Sequence, residues 1–293
     1  MNDDHSHDGL AADLARLKEQ TSQRRRAMQW LAGAGLGAVG LWGCGGGGSD
    51  TAASTGTGAG TTTTTTTTST GSTGTVSTCS VIPEETAGPF PGDGSNNGGA
   101  GGVANALMLG GIVRSDVRTS IAAASGVAQG VPLTVKLRVV NTNGSCADLS
   151  SYAVYLWHCD REGRYSMYSS GVTAENYLRG VQSTDSSGTV AFTTVFPGCY
   201  AGRMPHIHFE IYRSATTATA FSNKLKTSQL AFPAAACNEV YAVAGYEASV
   251  SNFSRISFVT DNVFSDGVST QTAAVSGSVV AGYVATLNVG ISV

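Results

Sequence analysis

A tract of small and hydroxyl-bearing residues limits how much of this chain can fold. Residues 45–78 are almost entirely Gly, Thr, Ser and Ala, and they include the uninterrupted threonine run 61–68. Such a tract has too few apolar side chains to offset the conformational entropy that ordering would cost, so we expect a disordered linker. The fold must therefore be built from residues 79–293, a length that is ample for one domain with a buried core.

Charge and periodicity exclude several classes of protein. The net charge is -3, only 13% of the residues are charged, and residues 79–293 contain no cluster of Lys and Arg. We expect no nucleic-acid partner, because nucleic-acid binding needs a basic surface. Collagen, coiled coils and multi-span membrane proteins are also excluded, since their periodicities and long apolar runs are missing from the sequence.

Residues 1–44 have the order of parts found in an export signal. Three arginines at 24–26 precede an uncharged stretch, 27–43, which is rich in Gly, Ala and Leu and is followed by Cys44. Residues 22–26 resemble a twin-arginine signal, and residues 41–44 resemble the lipobox of bacterial lipoproteins. The resemblance implies export across the bacterial inner membrane to the periplasm or cell surface, with a lipid on Cys44 that attaches the protein to the membrane. A non-cleaved anchor helix is the alternative interpretation.

The sequence thus predicts three parts: an export signal (1–44), a linker (45–78) and a folded domain (79–293). If Cys44 carries the lipid, five cysteines remain, and an exported protein is free to form disulfides. Because five is an odd number, at least one thiol is expected to stay free or to pair elsewhere. The sequence leaves the pairing open.

The folded part has the patterns of β-strands. Residues 133–139 alternate apolar and polar side chains, which is typical of a half-buried strand. Denser apolar runs predict further strands at 152–158, 189–196 and 206–212. Weaker strand-like segments lie at 224–232, 256–259 and 282–293. We find no amphipathic helix of useful length after Cys79, so we expect an all-β domain, a sandwich or a barrel.

Two of the domain's three histidines lie on one predicted strand. His206 and His208 are two residues apart, so both imidazoles should project from the same face and could supply half of a site for a first-row metal. By itself the pair is weak, because two surface or hydrogen-bonded histidines explain it equally well. A facial triad would need a carboxylate, and Glu210 is adjacent along the same face. A zinc site would need a third His or Cys, which the sequence does not place.

Other chemically useful side chains surround the pair. Tyr200 and Arg203 follow a Pro-Gly turn that should bring them to the end of the histidine strand. Tyr165 follows the polar turn after strand 152–158, and Gln229 lies on a later predicted strand.

This constellation resembles the intradiol ring-cleavage dioxygenases, the family of catechol 1,2-dioxygenase and protocatechuate 3,4-dioxygenase. The matching stretches keep their order over about 150 residues, and they are PEETAGPF (83–90), VRSDVR (113–118), WHCDREGRYSMY (157–168), LRGVQSTDSSG (178–188), FPGCYAGRMPHIHF (196–209) and the Gln229 segment. The resemblance implies the β-sandwich of that family.

The resemblance also implies a metal centre. The family's ligands fall on Tyr165, Tyr200, His206 and His208, which would hold one non-haem Fe(III) together with a hydroxide or water. A free phenol has a pKa of about 10, but beside a trivalent cation it binds as phenolate, because the metal's charge dominates the local pKa.

Further roles follow by resemblance. Tyr200 matches the tyrosinate that leaves the metal and takes a proton from the substrate, and Arg203 matches an arginine that stabilises charge developing on the ring. Gln229 matches a polar residue that lines the substrate pocket. A strand-end salt bridge is the alternative for Arg203, and plain sheet packing is the alternative for Gln229. His158 matches no family ligand, and we expect it to be structural.

The implied activity is O2-dependent cleavage of a catechol-type ring between its two hydroxyl-bearing carbons, which gives a muconate-type diacid. The alternative from another class is an inactive cell-surface binding module that retains the metal cage, and a different metal in that cage also stays open. Many family members carry an aromatic residue where this chain has Pro91, followed by the Gly/Asn-rich stretch 92–102, so the choice of catechol is open. The sequence does not decide whether the chain forms a homo-oligomer.

Overall fold

The computed structural model describes residues 79–293. The predicted export signal, the linker and Cys44 lie outside these residues. The described strands are β1 (Asp93–Asn97), β2 (Val103–Asn105), β3 (Pro132–Asn141), β4 (Ala147–Asp148), β5 (Ala153–Trp157), β6 (Arg179–Ser183), β7 (Thr189–Val195), β8 (His206–Tyr212), β9 (Lys224–Ala231), β10 (Ala274–Ser278) and β11 (Gly282–Ile291). Two short helices, α1 (Ala234–Tyr241) and α2 (Glu247–Phe253), follow β9.

The strands form two main sheets. The first has the order β10–β11–β3–β4, with β7 also paired to β3. In this sheet β3 and β11 run parallel, while the remaining pairs are antiparallel. The second sheet has the order β6–β5–β8–β9 and is antiparallel throughout. Strands β1 and β2 pair separately. The predicted all-β sandwich is confirmed.

The main hydrophobic core lies between the two sheets. From β3 the buried side chains of Val135 and Leu137 enter it, and from β8 those of Ile207 and Phe209 do so. Period-2 alternation therefore sends His206 and His208 to the opposite face of the second sheet, as predicted.

That opposite face is also covered. Every residue of β8 is buried, and Leu107 and Ile112, from the segment before β3, belong to a second buried cluster with Tyr155 and Trp157 of β5. Polar groups on this face are therefore removed from bulk water, and they need partners of their own.

Two predictions of secondary structure were wrong. Residues 256–259 form no strand and lie in a turn, where Ile256 and Phe258 pack around buried Phe264. The expected absence of helices also fails, because α1 and α2 are present. Each has only seven or eight residues, which is about two turns and too few for a helical period to stand out.

The cysteines divide into one pair and three free thiols within the described residues. Cys79 and Cys146 form a disulfide that ties the start of the domain to the loop after β3. The free thiols, all buried, are Cys159, Cys199 and Cys237. The expectation that at least one thiol stays unpaired is confirmed. In residues 79–293 no helix is long and apolar enough to cross a membrane.

Candidate metal centre

Four donor atoms converge where β8 begins. The Nε2 atoms of His206 and His208 are 3.0 Å apart. The Oη of Tyr200 lies 3.1 Å from His206 Nε2, and the Oη of Tyr165 lies 3.4 Å from the same nitrogen. The two phenol oxygens are 3.5 Å apart. The structure thus brings together all four residues that the sequence singled out as ligands.

The backbone sets the tautomer of His206. Its Nδ1 lies 2.6 Å from the carbonyl oxygen of Met204. A carbonyl only accepts hydrogen bonds, so Nδ1 carries the proton and the lone pair of Nε2 faces the cluster. Burial, and next the charge of Arg203, lower the pKa of His206 well below its usual range, which keeps the ring neutral.

Stacking orients His208. Its ring lies almost parallel to the ring of Trp157, at 4° and with 4.9 Å between centroids, and the two residues are directly opposite each other on β5 and β8. Gly88 also lies close to this ring, because a Cβ at Gly88 would be 3.4 Å from His208 Cε1. Burial, followed by the electrostatic effect of the neighbouring His206 ring, lowers the pKa of His208 well below its usual range.

The two phenols differ in exposure. Tyr165 is 1% exposed and its ring contacts Phe90, with 5.0 Å between centroids, whereas Tyr200 is only half-buried. Burial raises the pKa of Tyr200 to about 12. Burial, and then the neighbouring Tyr200, raise the pKa of Tyr165 well above its usual value. Without a cation in the cluster both phenols hold their protons at neutral pH.

This donor set fits a metal ion. Two ligands about 2.1 Å from one ion, at angles of about 90–110°, are about 3.0–3.4 Å from each other, and the observed separations are 3.0–3.5 Å. Two neutral imidazoles and two phenols that need a nearby cation to ionise suit a first-row metal of high charge. Within residues 79–293 no group of three or more His, Cys, Asp and Glu could hold a metal. This cluster is of a different kind, because two of its four donors are phenols.

Arg203 and Gln229 lie beside the four donors. Arg203 is 8% exposed, and its Nη1 is 3.5 Å from His206 Nε2. Its Nη2 donates to Gln229 Oε1 at 2.6 Å, and Gln229 Nε2 in turn donates to the carbonyl of Thr86 at 2.9 Å. Arg203 also forms a buried ion pair with Asp261. The salt bridge considered for Arg203 is thus present, but the guanidinium still reaches the cluster.

His158 lies apart from the centre, as expected. Its Nδ1 donates to the carbonyl of Cys159 at 2.8 Å, and the hydroxyl of Thr194 donates to its Nε2 at 2.7 Å. Both ring nitrogens are therefore used by the fold.

Sequence reasoning missed two neighbours of the site. Trp157 occurs in a matched stretch, but only the strand register reveals its stacking on His208. Asp261 lies in a stretch with no strand or helix pattern, and its partner Arg203 is 58 residues away. No local signal could have found it.

Comparisons with known proteins agree with this geometry. The family model described as Dioxygenase (Dioxygenase_C) matches residues 114–243, which contain the four donors, Arg203 and Gln229. No curated protein sequence matches the chain significantly.

Solved structures include similar folds. An intradiol ring-cleavage dioxygenase from Tetranychus urticae aligns with a TM-score of 0.56 and 25% identity, over 73% of this chain and 95% of that chain. The dioxygenase domain of a dioxygenase and carbohydrate-binding protein fusion from Streptomyces sp. SirexAA-E aligns with a TM-score of 0.45 and 22% identity, over 73% and 99% of the two chains. The family match over residues 114–243 and the likeness to the first structure together show that this domain is similar to the intradiol ring-cleavage dioxygenases.

Proposed function

We propose that this protein is a non-haem Fe(III) dioxygenase that cleaves a catechol-type ring between its two hydroxyl-bearing carbons. Both atoms of O2 enter the product, a muconate-type diacid, so no other reductant or oxidant is needed. The observation that carries the proposal is the convergence of two phenol oxygens and two imidazole nitrogens within 3.5 Å of their neighbours.

Tyr165, Tyr200, His206 and His208 would hold the iron. When bound, the ferric ion supplies a strong positive charge that ionises phenols and polarises catechol oxygens as a Lewis acid. Two phenolates would offset most of that charge in a site where Tyr165, His206 and His208 are buried. Neutral imidazoles complete the set because their depressed pKa values keep both rings unprotonated.

The unequal exposure of the phenols supports different tasks for them. Tyr165 is fixed under Phe90 and is 1% exposed, so it would stay in place. Tyr200 is half-buried beside exposed Ala201 and Gly202, so it would be the phenol that moves. Its phenolate oxygen would accept a proton from a catechol hydroxyl, and in the absence of a metal the pKa of this phenol is about 12, which favours holding that proton.

Arg203 and Gln229 would act on the substrate from one side. Arg203 Nη1 is directed towards the cluster, where its charge stabilises negative charge that develops on the ring. Gln229 holds the guanidinium through Nη2, and it is itself held by the carbonyl of Thr86. Because these groups are fixed before substrate arrives, little reorganisation is needed during the reaction.

The test is the variant Tyr165→Phe in protein purified with iron. We expect it to lose the visible absorption of phenolate bound to iron and to cleave catechol about 100-fold more slowly or worse. Tyr241→Phe is a matched control, because Tyr241 is also buried and its hydroxyl donates to the carbonyl of Pro197 and not to any of the four donors. The control should keep colour and turnover.

Two results would refute the proposal. Wild-type protein that binds iron without the phenolate band would remove Tyr165 and Tyr200 from the ligand set. A Tyr165→Phe variant that binds catechol like the wild type, in a protein with no O2 uptake, would instead support the binding module.

We also propose that the protein is exported and held at a membrane by a lipid on Cys44. The arginines at 24–26, the uncharged stretch 27–43 and the lipobox-like residues 41–44 support this location. The disulfide between Cys79 and Cys146 is in keeping with an oxidising compartment.

A further inference from the structure

A buried carboxylate lies behind the arginine of the candidate site. Asp261 is fully buried in the segment that follows α2. Its Oδ2 accepts from Arg203 Nε at 3.0 Å and from the backbone N–H of Met204 at 2.6 Å. Its Oδ1 accepts from the backbone N–H groups of Val263 and Phe264 at 2.8 and 3.0 Å. The backbone therefore fixes the carboxylate before it pairs with the arginine.

These contacts restrict Arg203 on several sides. Asp261 holds the Nε edge, and Gln229 Oε1 accepts from Nη2 at 2.6 Å. The ring of Phe264 lies against the guanidinium, 5.6 Å from its central carbon to the ring centroid. A planar group held at Nε and at Nη2 has no remaining freedom to rotate. Only Nη1 is left, and it lies 3.5 Å from His206 Nε2.

We propose that Asp261 is the positioning residue that directs Arg203 Nη1 towards the substrate ring at the candidate metal centre. The inference rests on the proposed function, because it assigns how the arginine of that reaction is oriented. A buried arginine needs a carboxylate that neutralises its charge. A carboxylate with only that task could equally well bind the edge formed by Nη1 and Nη2. Here the carboxylate occupies the Nε edge and leaves Nη1 for the site.

The experiment is a double-mutant cycle with Asp261→Asn and Arg203→Gln, measured on iron-loaded protein. We expect D261N to lower kcat about tenfold or more, while the iron content and the affinity for catechol under nitrogen change by less than about threefold. R203Q should lower kcat by at least as much. Adding D261N to R203Q should then lower kcat by less than about twofold, because the carboxylate acts through the arginine.

A second measurement does not depend on turnover. In the iron-free protein the Nε–H of Arg203 gives an NMR signal that R203Q identifies by its loss. Because Asp261 accepts this hydrogen bond in a buried place, we expect D261N to speed exchange of that proton with solvent by about tenfold or more. If wild-type protein turns over no catechol, the proposed function fails, while this measurement still decides what holds Arg203.

Three outcomes would overturn the proposal. The losses of kcat in D261N and R203Q could multiply, D261N could lose its iron, or the Nε–H exchange could stay unchanged. If D261N does not fold, two other variants take its place. The double variant D261N/R203Q removes both buried charges together, and Asp261→Glu keeps the carboxylate but shifts it by one methylene. In that case D261E is expected to keep its iron and lose kcat, and a D261E enzyme with wild-type kcat would refute the positioning role.

Discussion

The three histidines of the described domain should respond differently to replacement by glutamine. His206Gln and His208Gln each remove a nitrogen from the four-donor cluster, so both variants should purify with little iron. His158 Nε2 instead accepts from Thr194, and its Nδ1 donates to the carbonyl of Cys159. His158Gln should therefore keep its iron while changing how stability depends on pH.

The magnitude follows from the environment of His158. Burial lowers its pKa from 6.5 to about 4, so between these values the unfolded chain binds a proton that the folded protein does not. Stability contributed by the neutral ring is therefore present above pH 6.5 and is lost as pH falls towards 4. By linkage the loss from pH 7.5 to pH 5 is about 2 kcal/mol. Glutamine does not titrate, so His158Gln lacks this loss.

The assay is urea unfolding of wild type and His158Gln at pH 7.5 and at pH 5. At pH 7.5 the variant should be less stable by about 1–2 kcal/mol, because it loses packing and a hydrogen bond. At pH 5 the two proteins should have nearly equal free energies of unfolding. The titrations of His206 and His208 cancel in this difference because both proteins contain them. A difference that stays constant with pH, or loss of iron from His158Gln, would refute the reasoning.

Two further predictions concern other parts of the chain. Burial, and next Asp266, raise the pKa of Glu85 to about 7, so the folded protein binds this proton more tightly and loses stability as pH rises from about 4.5 to about 7. In urea unfolding, Glu85→Gln should be more stable than wild type by about 1 kcal/mol at pH 8 and equally stable at pH 4. This value is reduced to allow for the partial exposure of the side chain. A difference in stability that does not change with pH would contradict this prediction. Cys44→Ser should move the protein from the membrane fraction to the soluble fraction and abolish labelling by palmitate, and a variant that stays in the membrane fraction would favour the anchor helix.

The fold was predictable where side chains alternate over whole strands. Residues 206–212 were predicted as a strand, and β8 has the same bounds. The segments at 133–139 and 152–158 also form strands. In the first, buried side chains alternate with more exposed ones, and in the second, side chains on both faces are buried. Strand β10 escaped prediction, since its five residues Ala274–Ser278 are small, mostly exposed and paired on one side only.

The convergence of the site was less predictable from local pattern. Period 2 brings His206 and His208 to one face, but Tyr165 and Tyr200 arrive on irregular segments whose paths depend on the rest of the fold. The resemblance to the family motif located both tyrosines, because the motif fixes their spacing from the histidines. Strand and helix propensities carry no information about that spacing. Asp261 lies outside the residues matched by the family model, and only a distance of 3.0 Å in the folded chain reveals its link to Arg203.

Glu210 shows why a face alone does not define a metal site. It continues the row of His206 and His208 along β8, and its carboxylate would complete a facial triad by pattern. In the structure it accepts instead from Tyr212 Oη at 2.7 Å and from Lys224 Nζ at 3.0 Å, both towards the far end of the strand. Successive residues of one face are about 6.6–7 Å apart along a strand. The short side chain of Glu210, two positions beyond His208, therefore binds Tyr212 and Lys224 and does not reach the cluster. The phenols come from loops at the near end, where no strand geometry limits their approach, and the donor set is accordingly two histidines and two tyrosines.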